Sequence, residues 1–419
     1  MHQYGTMLES RRKARIAVSA LFLLNGAAFA NIVPRFPDIK AALDLSNGEF
    51  GIAVAAYPLG AWVAGTFGGA LIRRWTSGRI GPVAVILLSL NLVLIGAAPV
   101  WWLLAIGLFI AGALDSVADI ANNAHGLRVE RLCGSSILNS MHALWSVGAV
   151  IGGVMGTIAA GARIPLVWHL TGAAVIFVPL ALLVGRWMLR GSDLVPQSPS
   201  PGTTRGRMGL AGVLVALGLI AAAANMLEDV TSTWSAVYLR DSIGAGAVIA
   251  GFGFIALQAA QTVGRFAGDG LVTRFGDRAV ARFGASLALV GMSLALVFPT
   301  PLTTIVAFGM VGAGIGTLIP GAIRTAEALP GLSPGTGLTW VTTTIRIGLF
   351  LSPPLVGLVA DVASLRVALI MMPVLALGVL VLSRALGRRN AGAPQHGTPV
   401  GKAMGHSPKK AQPDNATDL

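Results

Sequence analysis

A single cysteine, Cys133, stands in a chain of 419 residues, and one thiol excludes both an intrachain disulfide and a multi-thiolate metal site. Charge is scarce too: 11% of the residues are Asp, Glu, Lys or Arg, against roughly a quarter in soluble chains. Acids are scarcer than bases, 17 against 30, for a formal net charge of +13. No Gly-Lys-Ser or Gly-Lys-Thr ending follows a strand-like segment, so a phosphate-cradling loop is excluded. Nucleophile and base pairs and metal-ligand spacings are missing as well, with His142 alone at cavity depth. The chain is therefore expected to be no enzyme and to carry no cofactor or metal. The basic residues form no single face or run that would suit nucleic acid; they sit in turns between apolar segments. About 23 of them fall on one side of those segments and about 5 on the other, the positive-inside pattern that sets orientation in a bilayer.

What is present is apolar: 54% of the residues are hydrophobic. Segments long enough to cross about 30 Å of hydrocarbon lie near 14–34, 48–72, 80–98, 101–124, 137–161, 165–186, 208–235, 246–271, 280–299, 302–323, 335–359 and 365–385. The first lacks a small-residue cleavage pattern and follows Arg11, Arg12, Lys13 and Arg15, so it reads as a span and not a signal peptide. These segments predict an all-α membrane protein of two six-helix bundles, 14–186 and 208–387. A cytoplasmic segment 1–13 precedes them, a Ser- and Pro-rich cytoplasmic linker 187–207 joins them, and a tail 388–419 with too little apolar surface to order follows. Both termini then lie in the cytoplasm. Trp101, Trp102, Trp168, Trp187 and Trp234 fall near segment ends, as interfacial anchors do, whereas Trp145 and Trp340 lie inside segments.

The two bundles look duplicated. Gly51, Ala56, Val63, Gly68, Leu71, Arg74 and Trp75 align with Gly251, Ala256, Val263, Gly268, Leu271, Arg274 and Phe275 at a constant offset. A parallel repeat of six spans places a solute site near the bilayer midplane, between the halves. Gly148, Gly152 and Gly156, with Gly153 beside them, mark surfaces of close helix approach.

A charged side chain inside a span costs about 3 kcal/mol on insertion scales, so each one is a functional candidate. Asp115, Asp119, Asn122 and Asn123 recur at helical spacing on one face of the fourth segment. His142 opens the fifth at a depth close to Asp119, where carboxylate and imidazole can share a proton. Alternatively Asp119 pairs with Arg128 or Arg131 in the adjoining turn. In the seventh segment Glu228 shares a face with Asn225 and Ser232 and reads as the cavity carboxylate; Asp229, about 100° away, points elsewhere, towards water at the far side. Arg346, near the middle of the eleventh segment, requires either a carboxylate partner among Glu228, Asp115 and Asp119 or an anionic solute. Asn25 and Asn31 in the first segment can bond a solute or a neighbouring helix. Gly264, Arg265, Gly268, Asp269, Arg274, Gly276, Asp277 and Arg278, with Gly68 and Arg74 of the first copy, form the charged turns expected to latch and release the halves on the cytoplasmic side.

The basic turn after each second span resembles the signature of the major facilitator superfamily, and the resemblance covers nearly the whole chain up to about Gly387. The aspartate usual before the basic residue is absent in both copies, where Arg73 and Thr273 stand. Arg35-Phe-Pro37, Asp119-Ile-Ala-Asn-Asn-Ala124, Val129-Glu130, His142-Ala-Leu-Trp-Ser146, Trp234-Ser-Ala-Val-Tyr-Leu239, Gly264-Arg-Phe-Ala-Gly-Asp269 and Ser364-Leu-Arg366 are similar to a bacterial inner-membrane branch of it, related to the fucose permeases. In that branch the position of Thr233 is usually aspartate and that of Arg346 aromatic. The resemblance implies a monomeric, proton-coupled secondary transporter of a small solute, moving it by alternating access. Efflux of a drug or metabolite suits the scarcity of Gln and Asn in the spans, and sugar–proton symport suits the fucose-permease likeness. A receptor or scaffold that has lost transport is the alternative of another class.

Overall fold

In a computed structural model, residues 2–133, 137–191, 193, 208–330, 332 and 335–387 are described, without the side chains of 2–8, 10, 139, 208–210 and 269. The linker residues 192 and 194–207 and the tail 388–419 lie outside the described residues. Among the described residues there is helix and no strand, and twelve helices are long and apolar enough to span a membrane. They are α1 (Arg11–Ala42), α2 (Asn47–Trp75), α3 (Ser77–Gly96), α4 (Trp101–Cys133), α5 (Ser140–Gly161), α6 (Leu166–Gly185), α7 (Ala211–Ser242), α8 (Ala247–Gly268), α9 (Asp277–Val297), α10 (Pro301–Glu327), α11 (Thr336–Val362) and α12 (Leu365–Ala385). The protein is thus an all-helical, multi-pass membrane protein.

Local chemistry sets several of these boundaries. Ser46 caps α2 by accepting from the Glu49 N–H at 3.1 Å while Glu49 accepts from the Ser46 N–H at 3.0 Å, so two orphan donors of the first turn are satisfied together. The helix of α4 runs on to Cys133, so Arg128 and Arg131 are helical and not in a turn. The regular helix of α1 stops at Ala30 and resumes beyond a tight turn at Val33–Arg35. The helix of α8 continues past its apolar part to Phe275.

The sequence duplication reappears as packing. Gly112 of α4 lies against the Tyr57 carbonyl of α2, and Gly312 of α10 lies against the Leu257 carbonyl of α8, at the same offset between the halves. A side chain at either glycine would drive the two backbones apart. The α2–α3 and α8–α9 turns also match: Thr76 has φ 68° and ψ 148°, and Gly276 has φ 84° and ψ 156°. That region is open to glycine and costly for a β-branched residue. Thr76 is held there by its neighbours. Asp193 accepts from the Ser77 N–H at 2.6 Å and from the Ser77 hydroxyl at 2.7 Å, and the His125 ring nitrogen Nδ1 lies 2.9 Å from the same hydroxyl.

The halves meet along two seams, α2 against α11 and α5 against α8. Gly148 and Gly152 pack on α1, at Leu23 and Ala27, whereas Gly153 turns across the seam to Phe254 and Ile255 of α8. One glycine stripe therefore serves two different contacts. Trp234 corrects the expectation of an interfacial anchor: it is 0% exposed and packs edge-on to Phe50 of α2, with ring centroids 5.3 Å apart. It lies close to the α1–α2 end of the other half, so a short sequence distance from a span end did not bring it to the lipid surface.

Candidate functional site

Ionic ties between the halves gather at one end of the bundle, opposite the basic turns. Arg35, 4% exposed, donates to Asp38 at 2.6 Å and to the Ile164 carbonyl at 2.9 Å, all within the first half. Asp38 also accepts from Arg240 of α7, in the second half. Lys40 and Asp241 pair at 3.2 Å across the same boundary. Asp361 at the end of α11 accepts from the backbone N–H groups of Asn47 (2.8 Å) and Gly48 (2.7 Å), which open α2. A carboxylate at a helix N-terminus meets both free donors and the positive end of the dipole.

The basic turns behave differently. Gly68 of α2 packs on Ile120 of α4, and Gly268 of α8 on Thr317 of α10, each within its own half. The Arg74 guanidinium lies 5.7 Å from the Trp75 ring centre, and that of Arg274 5.3 Å from Phe275. Asp277, next to the Gly276 turn, pairs with Arg324 at 2.6 Å, again inside the second half. Asp269 lies in helix, and its side chain is outside the described residues. These contacts of Gly68, Gly268, Arg74 and Asp277 stay within one half. Between the halves at this end opens a cavity of about 520 Å³ whose lining includes His142, Ser146, Thr262 and Arg265.

Deeper in the first half, α4 presents its acids as the spacing predicts. Tyr57 and Asn25 stand beside Asp115, and Tyr57 stacks on Phe29 with ring centroids 4.0 Å apart. Asn123 donates to Asp119 at 2.8 Å, and its carbonyl oxygen lies 3.0 Å from His142 Nε2. The three residues form a short relay, so the structure brings Asp119 and His142 together through an amide. Asn122 departs from the stripe. It is 1% exposed and turned to Gly81 of α3, because its position at the edge of the polar face points towards α3 and α1. Asn31 reaches Met155 Sδ at 3.9 Å, a helix-to-helix contact.

In the second half, Glu228 and Asp229 diverge as a 100° step requires. Glu228 faces Arg265 of α8 at 3.7 Å, and Asp229 accepts from the Ser352 hydroxyl of α11 instead of facing water. Arg265 also donates to Ser146 Oγ of α5 at 3.1 Å, which makes it a bridge between the halves. Arg346 forms no ion pair among the described residues, so its expected pairing with Glu228, Asp115 or Asp119 is not found. Its guanidinium instead stands at the α2–α11 seam, 3.6 Å from where a Cβ on Gly65 would lie, near Ser116 of α4.

Sequence reasoning missed three features. Arg265 looked like part of the basic turn, since its Glu228 partner lies 37 positions back on another helix. Asp229 looked peripheral. The far-end ties were passed over, although their signal was available: Asp38 and Lys40 pair with Arg240 and Asp241 at separations of 202 and 201, close to the repeat offset. Equivalent ends of duplicated halves meet across the pseudo-twofold axis.

No family model matches the chain. Over 369 residues it is 31% identical to the uncharacterized transporter y4wD of Sinorhizobium fredii, a match covering 88% of this chain and 97% of that one. Over 381 residues it is 27% identical to an MFS-type transporter of Yersinia pestis, covering 89% and 96%. The chain belongs to the major facilitator superfamily. This facilitator is accordingly a transporter and not an enzyme. Its fold superposes on a variant of the nucleoside transporter NupG with a TM-score of 0.73 at 10% identity, covering 89% of this chain and 99% of that one.

Proposed function

We propose that this facilitator is a proton-coupled secondary transporter that moves a small solute by alternating access. The observation that carries this reading is the asymmetry between the ends: ties at Asp38–Arg240, Lys40–Asp241 and Asp361 at one end, and an open polar cavity at the other. The positive-inside pattern puts the open, basic end in the cytoplasm, with both termini, in a bacterial inner membrane. Residues 14–186 and 208–387 act as the two rocking bodies, joined by the linker 187–207. When the far-end ties break, the basic turns close over the cavity, and Gly68, Arg74, Gly268, Asp269, Arg274 and Gly276 become its cytoplasmic gate.

Asp115, Asp119 and Glu228 carry the coupling proton. A bare carboxylate facing a closing apolar seam is expensive, and protonation removes that cost and lets the halves reorient. His142 and Asn123 connect Asp119 to the cavity. A proton on Glu228 frees Arg265, whose contact with it is an ion pair without a hydrogen bond at 3.7 Å. The membrane potential supplies about 2.3 kcal/mol per charge per 100 mV, enough to drive accumulation.

The test uses proteoliposomes loaded with a pH-sensitive dye and a panel of sugars, amino acids, organic acids and lipophilic cations. A transported solute is expected to change the luminal pH as it moves. Glu228→Gln and Asp119→Asn should abolish accumulation and the pH change while keeping solute counterflow. Counterflow without any proton movement in the parent protein would remove the coupling, and no flux of any solute would remove transport itself.

A further inference from the structure

The acids Asp115 and Asp119 of α4 and Glu228 and Asp229 of α7 lie behind the cavity at the basic end, which has no carboxylate among its described lining residues. Its polar wall includes Arg265, Arg324, His142 and the hydroxyls of Ser146, Thr262 and Thr317. Arg324 is committed to Asp277 at 2.6 Å. Arg265 is not committed to the same degree. Among the described residues its hydrogen bond goes to the neutral Ser146 Oγ, and Glu228 stands at 3.7 Å, beyond hydrogen-bond reach. A guanidinium carries five N–H donors in a planar fork that matches a carboxylate or phosphate. Arg346 is a second guanidinium facing the other half, without an ion pair among the described residues. Among the described residues, both guanidiniums thus keep N–H donors free of a carboxylate hydrogen bond, one at each seam.

We propose that the solute taken by this cavity is a small organic anion, its charged group docking on Arg265 beside Ser146 and Thr262. This rests on the transporter reading above and narrows it to a substrate class. Because Arg265 is held by α8 and already reaches α5, an anion bound there touches both halves at one of their two seams. Contacts that such a ligand gains as the cavity closes favour the closed arrangement over the open one, as a differential binding energy requires. The apolar part of the wall, Phe266 and Val272, suits an uncharged body on the same solute.

The experiment measures thermal stabilisation of the purified full-length protein by benzoate, gluconate and glycerol 3-phosphate, against the neutral counterparts benzamide, glucose and glycerol. At least one anion is expected to stabilise while its neutral counterpart does not. Arg265→Gln should raise that anion's Kd about ten- to a hundredfold, the worth of a charge-assisted hydrogen bond. Arg265→Lys should lie between, and Arg282→Gln, an exposed site on α9, should bind as the parent does. Should Arg265→Gln fail to fold, Ser146→Ala reads the same contact with a smaller rise. No stabilising anion in the panel, equal stabilisation by a neutral counterpart, or binding undiminished in both variants would each overturn the inference. Counterflow in proteoliposomes separates this from the transporter reading. A neutral solute that is transported removes the anion class and leaves transport intact, while an anion that binds through Arg265 without counterflow supports the site and removes transport.

Discussion

Asp38 is the residue at which the balance between the two arrangements of the halves can be shifted most directly. It accepts from Arg35 and from Arg240, and these two bonds differ in what they couple. Arg35 and its other partner, the Ile164 carbonyl, belong to the first half, so losing that bond destabilises both conformations alike. Only the Arg240 bond joins the halves. Its side chains are 38% and 24% exposed, so solvent screening limits its worth to about 1 kcal/mol. Asp38→Asn should therefore enrich the arrangement open at the far end about fivefold. Asp361 lies at a separate tie, and two distant sites add; with Asp361→Asn as well, the enrichment should reach about thirtyfold. The reporter is Thr157→Cys, made after replacing the one native thiol, Cys133, by serine. Thr157 is 4% exposed and packed on Gly251 across the α5–α8 seam, so a maleimide reaches it when that seam parts. The labelling rate at limiting reagent should follow the open population. A rate within twofold of the parent in the double variant, with an unchanged unfolding temperature, would refute the claim that these ties hold the far end shut.

Two further outcomes follow from local geometry. Thr76→Gly should raise the unfolding temperature, by about 1 kcal/mol of stability, because it relieves a β-branched residue at φ 68° where the duplicate turn already uses Gly276; a lower temperature would show that Thr76 makes contacts worth more than the strain. Gly152→Val meets the Ala27 backbone inside the first half and should cost about 1–3 kcal/mol in stability. Gly153→Val meets Phe254 across the seam and should instead raise labelling of the Thr157→Cys reporter with a smaller loss of stability. Equal unfolding temperatures and equal labelling for the two valine variants would refute that division.

Much of the site was legible because a helix fixes which residues share a face. The stripe Asp115, Asp119 and Asn123 and the nearness of His142 follow from spacing and depth alone, as does the divergence of Glu228 from Asp229. Asn122 fell out of that stripe because a face about 100° wide has edges, and which neighbouring helix stands at an edge is a tertiary matter. The partner of Glu228 was not legible, since Arg265 reads locally as a basic-turn residue and meets the carboxylate only when α7 and α8 pack.

The sequence by itself determined the twelve spans, their duplication and the polar positions within them, because hydrocarbon permits no unsatisfied backbone and few charges, and both constraints act residue by residue along the chain. Only the tertiary structure decided which end is tied. The balance between the two ends turns on a handful of contacts such as Asp38–Arg240 and Asp361 with α2, each worth about as much as thermal energy or a little more. Such contacts form between residues some 200 to 300 positions apart, and they exist only in the arrangement of the halves that brings them together.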